Sequence, residues 1–179
     1  GSRNTHTLPR CAAAAVIDGG FPFSVRQALA AKAFRHTADY DVAVASWMTA
    51  VVSPEPGSAF PVWAGATWDR QAVLRYGENP HQPAALYRHW RPGIAHAEQL
   101  HGKGMSYNNY VDADAAIRAA HDHGDQSTVA IIKHTNACGL ASHAELPVAY
   151  ERALAGDPIS AFGGIVACNR RVDGYLARA

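Results

Sequence analysis

The sequence predicts an α/β protein, and three observations carry that expectation. Val129–Ile132 is an unbroken apolar run, mostly β-branched, of the kind that forms a buried strand. Stretches with helical spacing of apolar residues lie on both sides of it, from about Ser24 to Thr49, about Tyr110 to Asp122 and about Glu145 to Ala155. A second short apolar run, Ile165–Cys168, follows a tight glycine-bearing loop and reads as another buried strand.

Composition bounds what such a protein can do. The chain has 179 residues, 48% of them hydrophobic, enough for one ordinary core or parts of two. Formal net charge is +1 and no acidic or basic block occurs, so nothing argues for a nucleic-acid or membrane surface. Any anionic ligand must then be met by individually placed cations. Cys11, Cys138 and Cys168 are odd in number, far apart and without a CxxC. That pattern fits reduced thiols in a cytoplasmic protein, and no metal site is expected. Ala12–Ile17 is too short to span a bilayer, and the N-terminus lacks the layout of a signal peptide.

Taken in order, residues 1–23 carry little beyond an apolar stretch, Ala12–Ile17, and a turn signal at Asp18-Gly19-Gly20. Ser24, with Gln27 three positions on, has the spacing of a capping box. Val25, Leu29, Ala33, Thr37, Tyr40, Val44 and Trp47 then mark one helical face. The breaker cluster Ser53-Pro54-Glu55-Pro56-Gly57-Ser58 makes residues 52–66 a linker, with Val62-Trp63 opening the next strand.

Val73-Leu74 leads into a polar loop, Arg75-Tyr76-Gly77-Glu78-Asn79-Pro80-His81-Gln82. Arg75 is a candidate fork for phosphate or carboxylate, and Tyr76 offers a ring to stack on a base. The alternative is a surface arginine on a loop held by its own side chains. His101–Asn109 is a second polar, glycine-bearing loop, and it opens the helix that Gly124 ends. Asp112 and Asp114 are placed in that helix's first turn, where they suit the dipole and discourage a phosphate. The loop matches neither phosphate-binding fingerprint.

The strand at Val129–Ile132 delivers Lys133 and His134 side by side, and Thr135, Asn136 and Gly139 after them read as a loop. A lysine leaving an apolar strand is partly desolvated, and a cation beside a histidine lowers the pKa of both. His134 is then a candidate base and Lys133 a candidate acid. The plain alternative is a snorkelling lysine and a turn histidine. The helix from about Glu145 carries Pro147 in its first turn and stops at Gly156. In the loop Asp157–Gly164, Phe162 beside paired glycines either stacks on a planar ligand or belongs to the core. Val172–Ala179 reads as the opening of a helix.

Four stretches together resemble the AICAR transformylase/IMP cyclohydrolase family of bifunctional purine-biosynthesis enzymes. They are Leu74–Gln82 (LRYGENPHQ), Ser106–Ala116 (SYNNYVDADAA), Lys133–Gly139 (KHTNACG) and Asp157–Asn169 (DPISAFGGIVACN). Ala30–Asp41 (AAKAFRHTADYD) is similar to the last long helix of the family's cyclohydrolase domain. The resemblance covers about residues 24–179. It implies that residues 1–51 are the tail of the cyclohydrolase domain, 52–66 a linker, and 67–179 the opening part of a cytidine-deaminase-like transformylase domain. No PCxxC zinc signature accompanies it.

The resemblance also implies a reaction, formyl transfer from 10-formyltetrahydrofolate to the 5-amino group of the AICAR nucleotide, in a parent enzyme that also cyclises the product to IMP. It implies Lys133 and His134 as the catalytic pair, Arg75 and Tyr76 as nucleotide holders, Asn109 as an assistant, and Ile159, Phe162 and Gly163 beside the ligands. It further implies a homodimeric parent of which this chain is an incomplete piece, inactive by itself. Two rival readings stand beside it. One makes Cys138 a nucleophile with His134 as its base. The other treats the chain as a nucleotide-binding or assembly module without chemistry.

Overall fold

The computed structural model describes residues 20–178, so the readings of Ala12–Ile17, Asp18-Gly19 and Cys11 lie outside the described residues. The chain divides between Thr67 and Trp68 into two compact units.

The first unit contains a long helix, α1 (Phe23–Trp47), extended by a π-helical turn over Met48–Val52. Pro22 occupies the N-cap and makes no side-chain cap bond. Ser24 therefore lies inside the helix, and the capping box expected at Ser24 and Gln27 does not form. Proline with its fixed φ sets the entry angle instead. No residue of α1 is buried, and Phe34 and Tyr40 are 76% and 65% exposed. Beyond it, Val62-Trp63 is not a strand; the chain stays irregular until Asp69.

The second unit is a mixture of helices and two small antiparallel sheets. A two-stranded sheet pairs β1 (Asp69–Val73) with β2 (Ala85–Arg88). Helix α2 (Tyr107–His121) follows, then β3 (Ser127–Lys133), β4 (Asn136–His143), helix α3 (Leu146–Gly156), the single turn α4 (Pro158–Ala161) and β5 (Ile165–Cys168). The three-stranded sheet has the order β4-β3-β5, antiparallel throughout.

β3 is the centre of this unit. Thr128 to Ile132 are all buried, as the continuous apolar run requires. Val129 and Ile131 pack with Ala149 and Ala153 of α3. Side chains alternate along a strand, so Ala130 and Ile132 face the other way, the side on which α2 packs with its buried Ala116 and Ala120. Full burial of each large side chain here contributes about 1.5–3 kcal/mol. Buried Thr128 is satisfied: its N–H donates to Asn169 Oδ1 at 2.7 Å and its hydroxyl pairs with Ser142 Oγ at 2.8 Å. β5 is less buried than its apolar sequence suggests, with Val166 exposed, because it is an edge strand of the described sheet.

β4 corrects the expectation of a loop after Lys133. Asn136–His143 pairs along the full length of β3, with a bulge in β4 at Cys138, which is passed over between the pairs Ile131–Gly139 and Ile132–Ala137. Gly139 makes the packing of α3 onto this strand possible. A Cβ there would lie 1.8 Å from the Ala153 carbonyl oxygen, so no larger residue fits without moving the helix. At the end of the described chain, a 3₁₀ turn at Leu176–Arg178 stands where a helical opening is expected.

Candidate active site

The site is built on a turn. Lys133 pairs with Asn136, which leaves His134 and Thr135 as the two central residues of the β3–β4 hairpin. Both have positive φ, 52° and 64°, the signature of a type I′ turn. Such turns are normally made by Asn-Gly or Gly-Gly, since a side chain in the left-handed region is crowded by its own backbone. Here a histidine and a β-branched threonine are held in it. Asn136 Nδ2 and Thr135 Oγ1 both donate to the His134 carbonyl, at 2.8 and 2.6 Å. The Thr135 N–H donates to Asp112 Oδ1 of α2 at 2.8 Å.

This turn stands His134 at the tip of the hairpin, where it lines two clefts. One, of about 370 Å³, is formed by Lys133, His134, Asn136, Cys138, Asp157 and Ser160. The other, of about 340 Å³, lies between His134, Thr135, Asp112, Tyr107, Asn108 and Glu78. Lys133 is half-buried and donates from Nζ to the Phe162 carbonyl at 3.0 Å. His134 is exposed. The Asp157 carboxyl is held below its ordinary 3.8 by hydrogen bonds from the Ser160 side chain and backbone, then by the Ile159 backbone and the charge of Lys133. The Ser160 N–H reaches Asp157 Oδ1 at 2.9 Å, so this carboxylate also caps α4.

The outer wall of the second cleft comes from the loop after β1. The Gly77 N–H donates to Gln82 O at 2.7 Å, and the Asn79 N–H to Gln82 Oε1 at 2.8 Å, closing the loop on itself. Two bonds fasten it to the start of α2, from the Tyr107 N–H to Tyr76 O at 3.2 Å and from Asn108 Nδ2 to Glu78 O at 3.1 Å. That helix begins at Tyr107 with a capping box between Ser106 and Asn109. Asp112 and Asp114 are therefore beyond the first turn, contrary to the sequence expectation, and serve other partners. Asp112 holds the hairpin, and Asp114 pairs with Arg118 at 3.2 Å.

The sequence pattern of the AICARFT/IMPCHase bienzyme family matches residues 7–179. The chain belongs to that family. It is 59% identical over 169 residues to the bifunctional purine biosynthesis protein PurH of Mycobacterium ulcerans (strain Agy99), covering 92% of this chain and 32% of the relative. The PurH of Mycobacterium marinum (strain ATCC BAA-535 / M) gives the same identity and coverage. That of Mycobacterium leprae (strain TN) is 57% identical over 168 residues, with 92% and 32% covered. The chain thus spans about a third of the length of these relatives.

Lys133 and His134 are brought together on the first cleft, with the Phe162 carbonyl bound to the lysine. Ile159 and Phe162 are 87% and 85% exposed, so Phe162 is not a core residue. Gly163 has φ 78° and makes the turn out of α4. Arg75 lies over the ring of Tyr76, its guanidinium carbon 5.2 Å from the centroid, and neither residue lines the two clefts at His134. Asn109 spends its Oδ1 on the cap, accepting from Ser106 N at 3.1 Å. Cys138 lines the first cleft but also packs against the β3–α3 core.

Residues missed in the sequence are Asp112, Asn136, Asp157 and Ser160. Asp157 carried a legible signal, an acid just before a proline-led helical turn. Asp112 carried none, because its partner lies 23 positions away. Among the described residues no three His, Cys, Asp or Glu side chains gather as a metal site, and no helix is long and apolar enough to cross a membrane.

Proposed function

We propose that this chain supplies the catalytic hairpin of a formyl transferase in purine biosynthesis. The formyl group passes from 10-formyltetrahydrofolate to the 5-amino group of the AICAR nucleotide, giving FAICAR, and the parent enzyme cyclises FAICAR to IMP. The observation that carries this reading is the presentation of Lys133 and His134, adjacent in sequence and on one cleft, in a chain of the AICARFT/IMPCHase family.

The amine is a weak nucleophile, because its lone pair delocalises into the imidazole and carboxamide. His134 takes its proton as the nitrogen attacks the formyl carbon. Lys133 stabilises the oxyanion, and as the carbon–nitrogen bond to folate breaks the pair returns to the folate nitrogen the proton gained from the amine, ending as it began. The exposed Phe162 ring and Ile159 side chain offer apolar surface to a flat ligand, and the Phe162 carbonyl fixes the lysine on that side. Arg75, stacked on Tyr76, serves the nucleotide's anionic end, with Asn109 lending its amide nitrogen. In this reading residues 1–51 are cyclohydrolase tail, 52–66 linker and 67–179 the start of a cytidine-deaminase-like transformylase domain. The division at Thr67/Trp68 supports that partition. The parent is a cytoplasmic homodimer.

The test is turnover in a full-length enzyme carrying this segment, at saturating nucleotide and folate. His134→Ala lowers kcat by about 10²–10⁴-fold. Lys133→Ala is at least as severe, and the double variant is hardly worse than the worse single, since the pair acts as a unit. Near-normal kcat in His134→Ala refutes the assignment. Arg75→Ala weakens nucleotide binding by about 1.5–3 kcal/mol, the range for a charged hydrogen bond, and leaves folate binding nearly unchanged. Equal losses for both ligands remove Arg75 from the nucleotide site. The 179-residue chain alone is expected to show neither activity.

A further inference from the structure

We propose that Asp112 is a positioning residue that holds the His134 imidazole in its working orientation through the backbone of the hairpin turn. The inference rests on the formyl-transfer reading above and deepens it.

Backbone strain is the starting point. Two consecutive non-glycine residues, His134 and Thr135, sit at positive φ. Each such residue is unfavourable and persists only when its surroundings over-determine it. A two-residue hairpin at this position would form more readily with Asn-Gly. The local bonds do not explain the choice of conformation, because Asn136 Nδ2 and Thr135 Oγ1 both end on the His134 carbonyl, within the hairpin itself. The bond that reaches outside comes from Asp112. Its carboxylate accepts the Thr135 N–H at 2.8 Å, a charge-assisted bond between α2 and the turn.

That bond fixes the peptide plane that follows His134, and with it the direction of the Cα–Cβ bond from which the imidazole projects. It also ties the turn to a rigid base. α2 is capped at Ser106 and anchored through buried Ala116 and Ala120. The loop carrying Arg75 and Tyr76 is fastened to the first turn of the same helix. One helix therefore sets both the base and the nucleotide-side loop, so their separation is fixed by a single element. Asp112 also lines the cleft on the Glu78 side of His134, beneath the turn it holds.

The experiment compares Asp112→Ala and Asp112→Asn in a full-length enzyme carrying this segment, with His134→Ala beside them. Asp112→Ala is expected to lower kcat by roughly 10–100-fold, the scale of a catalytic group displaced by about an ångström. KM for nucleotide and folate stays within about twofold, because binding groups are untouched. Asp112→Asn keeps an acceptor oxygen at the same reach and should restore kcat to within about fivefold of the parent. In parallel, amide exchange at Thr135 in the 179-residue chain should quicken in the alanine variant and not in the asparagine variant. Alanine is a good helix former, so α2 is retained.

Unchanged kcat in Asp112→Ala, with His134→Ala crippled, overturns the positioning role and leaves the proposed function standing. Equal losses in alanine and asparagine variants overturn it too, since charge and not the hydrogen bond then matters. Unchanged kcat in His134→Ala retires the reaction assignment and the positioning role with it.

Discussion

Helix α1 has one apolar face and strand β3 an apolar run, and they use that character in opposite ways. α1 runs for 25 residues without one buried side chain. β3 has seven residues, five of them buried. Periodicity in α1 specifies a helix but not a partner, and its most covered residues, Val25, Leu29, Val42 and Ala45 among them, are only half-buried. Burial in β3 is complete on both faces, and that surplus holds a strained turn at its end. Apolar pattern predicts conformation; only the packed partner converts it into stability.

The largest expected effect tests this contrast directly. Ile131→Ala deletes a side chain that is 1% exposed and packed against α3. It should cost about 2–5 kcal/mol in urea unfolding of the chain, the range for a large core side chain cut to alanine. Tyr40→Ala in α1 removes a larger group that is 65% exposed. It should change stability by no more than about 0.5 kcal/mol. A Tyr40 cost equal to that of Ile131 would break the comparison and mean that α1 has a buried partner in solution.

The same contrast explains what was legible in the sequence. β3 was legible because a continuous β-branched run admits few other readings. β4 was not. Its sequence, Asn-Ala-Cys-Gly-Leu-Ala-Ser-His, is small and polar, and its strand conformation comes from pairing with β3 across a tight turn. Apolar spacing predicts α2 from about Tyr110, three residues after its start at Tyr107, although Ser106 and Asn109 stand at capping-box spacing. The resemblance implies only an assisting ligand role for Asn109, whereas its oxygen caps the helix. Lys133 and His134 were legible as a pair, but their setting as a strained hairpin was not, since nothing local marks His-Thr as a type I′ turn. Asp112 belongs to the same blind spot, a long-range acceptor for a backbone donor.

A smaller effect sharpens the comparison at the turn itself. Thr135→Gly removes a β-branched side chain from the left-handed region, where glycine is at ease. Left-handed backbone costs an ordinary residue about 1–2 kcal/mol, and glycine's greater freedom in the unfolded chain returns part of that. The variant should therefore be more stable by up to about 1 kcal/mol in urea unfolding. In a full-length enzyme it should be slower at saturating substrate, because a freer turn orients His134 less well. A stabilised variant with unchanged kcat would show that the strain has no bearing on function.

The smallest effect concerns pH and the cleft wall opposite the hairpin. Asp157 caps α4, and its carboxyl is lowered mainly by the hydrogen bonds from Ser160. A carboxyl with a folded value below its unfolded one contributes stability that is fully present above the unfolded value. That contribution is lost as pH falls through the folded value. Acidification from pH 7 should therefore leave it intact until about the ordinary aspartate range near 3.8, and remove it below. Asp157→Asn keeps a capping oxygen and has no such titration. Thermal unfolding from pH 7 to 2.5 should show the parent losing slightly more than Asp157→Asn at the acid end, with the two alike near neutrality. The difference is small because the carboxylate is screened by solvent. Parallel curves throughout would mean that the Ser160 bonds and the Lys133 charge do not hold this carboxylate, and that the first cleft is looser than the hairpin facing it.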